Sequence, residues 1–291
     1  MENEINAASM RALLPERPEE GHKGTFGHLF VIAASRGFCG AAKLTCEAAG
    51  RSGVGLVTAG VPYPLGDIIS VSLTEAMSVR LPATEEESLA HEALEPALAF
   101  ARNKQAVVLG PGLSRHEDTT AFVLDFIPQC APPLLIDADA LNALSENTNV
   151  LLDARSQCVV TPHPGEMARL TGQSTSQVQE DRKGTAHRFA TEHRCVTVLK
   201  GHRTVVVSAA GEIAVNTTGN NGLGTGGSGD VLSGLIGGLL AQGMKPFDAA
   251  RLGVYLHGRA GDIAANQLTP RALIASDIIQ ALPKAWKELD A

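Results

Sequence analysis

The densest concentration of candidate chemistry in this 291-residue sequence lies late in the chain. Gly219, Gly222, Gly224, Gly226, Gly227 and Gly229 fall within eleven residues, and the run ends at Asp230. It separates a strand-like segment, residues 212–215, from an apolar helix-like one that starts near residue 227. Glycine lets successive backbone N–H groups turn inward, and the following helix adds the positive end of its dipole. A phosphate, or a phosphoryl group in transfer, is the ligand that such a nest suits. Asp230 on the first helical turn could simply cap the helix. Beside a polyphosphate, like charge would instead raise its proton affinity and suit it to take the proton of an attacking hydroxyl. No lysine follows these glycines, so the run is not the P-loop of a Walker-type ATPase.

Four other segments could contribute: Gly110-Pro111-Gly112-Leu113-Ser114, Asp137-Ala138-Asp139-Ala140-Leu141-Asn142, Thr161-Pro162-His163-Pro164-Gly165-Glu166 and Lys200-Gly201-His202-Arg203-Thr204. Each alone has a plain reading: Asp139 and Asn142 as helix caps, His163 as a turn residue between prolines, Glu166 as a residue suited to a helix start, and residues 200–204 as the solvated edge of a hairpin. Each also follows an apolar run, and open α/β sheets bind ligands outside the carboxyl ends of their strands. The segments are therefore expected to converge on one crevice. A further glycine-punctuated junction, residues 23–41, lacks the G-x-G-x-x-G spacing of a dinucleotide fingerprint.

The elements that must position these tips are short apolar runs bounded by glycine, proline or polar residues, at 29–34, 55–59, 106–109, 133–136, 158–160 and 196–199. Segments of helical spacing lie between them, at 41–51, 85–102, 119–127 and 177–192. Such alternation predicts parallel crossovers. Residues 204–208 and 212–215 flank a turn and predict an antiparallel hairpin, so the sheet is mixed at one edge. Helices follow at about 227–242, 246–267 and 273–289. Aromatic residues make up only 4%, which leaves Ala, Val, Ile and Leu to fill the core of an α/β fold. Residues 1–20 read as an arm or first helix, and residues 1–291 as one domain.

Composition narrows the function. Lys plus Arg is 24 against 31 Asp plus Glu, a formal charge of −7 with no basic stripe for nucleic acid. Five cysteines without C-x-x-C spacing predict neither a disulfide frame nor a zinc site. Residues 1–20 lack the pattern of a secretory signal, and the longest apolar stretch is too short to span a membrane. A cytoplasmic location is the expectation.

Taken in order, Lys23-Gly24-Thr25-Phe26-Gly27, Gly110-Pro111-Gly112, Asp137 to Asn142, Thr161 to Glu166, Lys200-Gly201 and Gly226-Gly227-Ser228-Gly229-Asp230 resemble the ADP-dependent NAD(P)H-hydrate dehydratase family of the ribokinase-like superfamily. The resemblance covers almost the whole chain. It implies a three-layer sandwich, with a central, mostly parallel sheet and helices on both faces. The implied activity is ADP-dependent dehydration of the S epimer of hydrated NADH or NADPH, through phosphorylation of the C6 hydroxyl and loss of phosphate, giving AMP. By motif, Ala41, Gly112, His163 and Asp230 would line the hydrated cofactor, with Asp230 as the catalytic base. Lys200, Gly201, His202, Arg203, Thr204, Gly226, Gly227 and Gly229 would contact ADP or ATP. Mg²⁺ is implied, with Glu166 near it through water, and so is a homotetramer.

Family members are often fused to an epimerase for the same damaged cofactor; the chain is filled by one domain, so an epimerase is expected as a separate protein. The sequence departs from the family at Phe26, where a tyrosine is usual, and at Asn221-Gly222-Leu223-Gly224. Rival readings are a vitamin-precursor kinase of the same superfamily, and a nucleotide-binding sensor without turnover.

Overall fold

The computed structural model describes residues 3–290. In chain order the elements are β1 (Asn3–Ile5), α1 (Ala7–Arg11), β2 (His28–Ile32), α2 (Cys39–Arg51), β3 (Leu56–Pro62), α3 (Gly66–Ser72), β4 (Met77–Leu81), α4 (Leu94–Ala101), β5 (Ala106–Leu109) and α5 (Glu117–Gln129). They continue with β6 (Leu134–Ile136), α6 (Asp139–Leu144), β7 (Cys158–Val160), α7 (Pro164–Thr171), α8 (Thr175–Glu180), α9 (Arg182–Glu192), β8 (Val196–Leu199), β9 (Val205–Val207), β10 (Ile213–Asn216), α10 (Ser228–Ala241), α11 (Pro246–Gln267) and α12 (Ala275–Asp290).

The strands form one ten-stranded sheet in the order β1-β10-β9-β8-β7-β6-β5-β2-β3-β4. Strand β9 runs antiparallel to both its neighbours, β8 and β10, and every other pairing is parallel. The period-two rule divides the core. Leu29, Val31, Val108 and Leu135 face a layer built from α2, α10, α11 and α12, while Phe30, Ile32, Leu109 and Ile136 face α4 to α9. A strand buried on both sides must be apolar at every position, which is why the central runs read continuously in the sequence.

Three expectations need correction. Residues 85–102 are not one helix: helix α4 starts only at Leu94, after a turn in which the Ser88 N–H donates to Thr84 Oγ1 and Glu87 takes φ +60°. Consecutive Glu85, Glu86 and Glu87, with hydroxyl side chains that compete for the backbone on either side, disfavour helix there. Residues 177–192 divide at Asp181, whose Oδ1 accepts from the Gly184 N–H at 2.9 Å and caps α9. Residues 1–20 are more than an arm or helix. Strand β1 pairs in parallel with β10, and Ile5 and Met10 are buried in the core.

All five cysteines are free thiols. No helix among the described residues is long and apolar enough to cross a membrane.

Candidate active site

The N-terminus of α10 is the pivot. Its N-cap, Gly227, has φ +86°, and a Cβ there would stand 2.5 Å from Leu44 Cδ1 on α2. Only glycine meets both demands. The Ser228 N–H donates to the Thr225 carbonyl at 3.3 Å, the Gly229 and Asp230 amides that follow have no intrahelical acceptor, and Asp230 is set on the first turn.

Beneath that turn lies a buried ionic cluster. Asp137 ends β6 and is 1% exposed; its Oδ1 accepts from Lys200 Nζ at 2.8 Å, and its Oδ2 accepts from Ser233 Oγ at 2.7 Å. Lys200 Nζ also lies 3.7 Å from Glu166 Oε2. Glu166 in turn accepts from the His163 backbone N–H at 2.7 Å, while His163 Nδ1 accepts from the Gly165 and Glu166 amides, which makes a reciprocal cap for α7.

The charges follow from this packing. Burial pushes the Asp137 carboxyl up, but the Lys200 ammonium and hydrogen bonds from Lys200, Ser233 and Thr161 hold it below the usual carboxylate range. Burial would lower Lys200, and its carboxylate neighbours outweigh that and keep it charged. Glu166 is raised, by burial first. Asp230 is pushed up to about 7 by burial and then by the nearby Asp137 and Asp139 carboxylates, against the pull of Lys200. A carboxylate with that proton affinity is poised to accept and release a proton near neutral pH.

A cavity of about 730 Å³ opens beside this turn, with the whole Lys200–Thr204 loop, Gly229 and His163 in its wall. The loop is braced from behind, since Arg182 donates through Nη2 to the carbonyls of Leu199 and Lys200. The opposite wall, residues 216–225, is tied to α11: Asp262 accepts from the Gly219 N–H and the Asn220 side chain, each at 3.0 Å.

The sequence-predicted residues thus separate into three groups. Lys200, Gly201, His202, Arg203, Thr204 and Gly229 share the cavity, and His163 stands with them. Ala41 and Gly112 are neighbours elsewhere: a Cβ on Gly112 would lie 3.0 Å from that of Ala41, and the Gly112 carbonyl accepts from Ser35 Oγ. Gly226, Gly227 and Asp230, at the start of α10, do not line the cavity. Phe26, at the position of a usual tyrosine, carries the Arg17 guanidinium 4.1 Å above its ring.

Sequence reasoning did not find the Asp137–Lys200 pair, Arg182, Asp262 or His257. His257 on α11 is buried, pulled down to about 4 chiefly by burial, and hydrogen-bonds the Ser228 carbonyl at 3.0 Å. These contacts span 17 to 63 residues, and short-range spacing carries no trace of them.

Among the described residues no group of three His, Cys, Asp or Glu could hold a metal ion by itself. Glu166 already answers to the His163 N–H and Lys200. This donor set fits a cation carried mainly by phosphates and water, the habit of Mg²⁺.

A family model described as NAD(P)H-hydrate dehydratase matches residues 29–284. The chain belongs to the NAD(P)H-hydrate dehydratase family. Among its relatives is the ADP-dependent (S)-NAD(P)H-hydrate dehydratase of Neisseria meningitidis, 38% identical over 91% of this chain and 86% of that one. The bifunctional NAD(P)H-hydrate repair enzyme of Moorella thermoacetica is 44% identical over 98% of the chain but only 54% of its own length, so the chain spans about half of that relative. The crystal structure of the ADP/ATP-dependent NAD(P)H-hydrate dehydratase of Bacillus subtilis, co-crystallised with ATP and Mg²⁺, superposes with a TM-score of 0.85 at 31% identity, covering 99% and 98% of the two chains. Dehydratase membership and ribokinase-like architecture confirm the expectation drawn from the motifs. A hydroxyethylthiazole kinase from Pyrococcus horikoshii, at 14% identity and a TM-score of 0.59, shares the fold alone.

Proposed function

We propose that the chain repairs hydrated nicotinamide cofactors: it transfers the terminal phosphoryl of ADP to the C6 hydroxyl of the S epimer of hydrated NADH or NADPH. The ester then loses phosphate, the ring double bond returns, and AMP is left. Phosphorylation serves because water is a poor leaving group and phosphate a good one. The observation that carries this reading is Asp230, a carboxyl pushed up to about 7 on the first turn of α10, beside the Lys200–Thr204 loop.

Asp230 would accept the hydroxyl proton as the O–P bond forms. The first amides of α10 would stabilise charge on the transferring group. The cavity would hold the nucleotide, with His202, Arg203 and Thr204 along its wall, and Ala41, Gly112 and His163 would orient the damaged cofactor toward Asp230. A Mg²⁺ ion on the donor phosphates would supply charge neutralisation there, with Glu166 reaching it through water. The further proposals are a homotetramer in the cytoplasm and an epimerase that supplies the reactive epimer.

The test mixes purified protein with hydrated NADH or NADPH and either ADP or ATP, and follows the near-ultraviolet absorption of the reduced nicotinamide. Recovery of absorption with release of AMP and phosphate is expected with ADP. No recovery with either nucleotide would sink the assignment, and accumulation of a stable phosphate ester would turn it into a kinase.

A further inference from the structure

The cavity wall formed by residues 216–225 lies along one face of α11. Its first part is fixed by neutral hydrogen bonds to the helix backbone: Asn216 Nδ2 donates to the Val254 carbonyl and Thr218 Oγ1 to the Tyr255 carbonyl, each at 3.1 Å. Gly258 leaves room for this approach, since a Cβ there would stand 2.2 Å from Thr218 Oγ1. From residue 219 onward the polar tie to α11 is the half-buried Asp262. Its Oδ2 accepts from the Gly219 N–H and its Oδ1 from Asn220 Nδ2, each at 3.0 Å. Asn220 passes the constraint on, because its own Oδ1 accepts from the Gly222 N–H at 2.9 Å. Three donors of the wall thus depend, directly or through Asn220, on one carboxylate that does not itself line the cavity.

We propose that Asp262 is a positioning residue for the nucleotide: it holds residues 219–222 in the shape that binds ADP before ADP arrives. This role rests on the cavity being the nucleotide site. A wall that must be ordered during binding lowers the apparent affinity by the fraction of molecules already in shape. The carboxylate removes that penalty without touching the ligand.

Charge gives the proposal a sign. A carboxylate just outside the cavity repels an anionic nucleotide, so by charge alone its removal would tighten ADP binding. Loss of positioning weakens it. Removal also leaves no deeply buried group without a partner, because Gly219 and Asn220 are half-exposed and their donors can turn to water.

The experiment titrates ADP with Mg²⁺ into the parent, Asp262→Ala, Asp262→Asn and Arg259→Ala by calorimetry, with melting temperatures measured alongside. Arg259 lies one turn before Asp262 on α11 but pairs with Glu288 of α12, its Nε donating at 2.7 Å, so its loss perturbs the same helix without releasing the wall. Asp262→Ala is expected to raise the Kd for ADP about tenfold, the scale of a lost hydrogen bond to a charged group. Asp262→Asn keeps one acceptor oxygen and is expected to recover part of that loss. Arg259→Ala is expected to bind ADP as the parent does, whatever its melting temperature. In turnover, Asp262→Ala should raise the KM for ADP in step with Kd, leaving kcat within about twofold and the KM for the hydrated cofactor unmoved. An unchanged or lowered Kd in Asp262→Ala overturns the role, as does an equal weakening in Arg259→Ala. If Asp262→Ala does not fold, Asp262→Asn decides, and a Kd no higher than the parent's overturns it. The titration needs no hydrated cofactor: a parent that binds ADP but restores no nicotinamide absorption loses the repair reaction, while Asp262 is still judged on Kd. A parent that does not bind ADP overturns both.

Discussion

Helix α10 has two regions that use glycine for opposite ends. At its start, Gly227 provides a left-handed backbone, and the preceding Gly226 faces open space. In its body, Gly234, Gly237 and Gly238 have no special φ and no room: an added Cβ would overlap the Thr45 carbonyl oxygen, Val108 Cγ2 and Ser52 Oγ respectively. The body presses α2 and the sheet to contact distance, so the helix is held rigidly where it is apolar. The start can then carry an electrostatically unfavourable Asp230. Half of the 30 glycines fall after residue 200 because both uses are concentrated there.

The sharpest way to break this contrast is Asp230→Asn. Turnover is expected to fall by about two to four orders of magnitude, the scale of general-base catalysis, as read from single-turnover recovery of nicotinamide absorption. Stability is expected to move the other way. The folded carboxyl titrates near 7 against an ordinary 3.8, so the native state holds its proton more tightly, and the parent loses stability as pH rises through that window. Asparagine has no such loss. The variant should melt higher than the parent at pH 8, with the gap widening from about pH 4 to about pH 7 and constant above. A gap of the same size at pH 4 and pH 8 would mean that burial does not raise Asp230.

Gly234→Ala attacks the body. Its methyl group meets backbone, which cannot swing away as a side-chain end could, so about 3 kcal/mol or more of destabilisation is expected in urea unfolding. Loss of activity there should track loss of folded protein. Gly227→Ala attacks the start, where the positive φ and Leu44 together should cost about 1–2 kcal/mol. Its kcat/KM should fall by more than its folded fraction, because the first-turn amides and Asp230 are re-aimed. Equal falls would place Gly227 with the packing glycines.

The two regions were unequally legible. The glycine run, the strand before it and the helix after it stand out because local backbone chemistry dictates them, and β2, β5, β7 and β8 stand out because a doubly buried strand is apolar throughout. Strand β4 did not: it is an edge strand, its residues are mostly half-exposed, and Met77-Ser78-Val79-Arg80-Leu81 offers little apolar run. Strand β1 is three residues long and gains its place only by pairing with β10, over 200 residues away. Within the site, Asp137 and Lys200 were each visible as strand-end polar residues. Their pairing was not, because it exists only once β6 and β8 flank β7 in the sheet.

The smallest expected effect concerns Gly226, the position that best separates conformational need from ligand space. Its φ lies outside the left-handed region, it is exposed, and nothing stands within 4 Å of an added Cβ. Gly226→Ala should therefore change stability by no more than about 0.5 kcal/mol, with a gain favoured because alanine restricts the unfolded chain. Empty space beside a phosphoryl nest has another meaning, though: a methyl group there would occupy room that the transferring group needs. The KM for ADP should then rise severalfold in a variant that melts with the parent. An unchanged KM would take Gly226 out of the nest and leave the first-turn amides to bind the phosphoryl group without it.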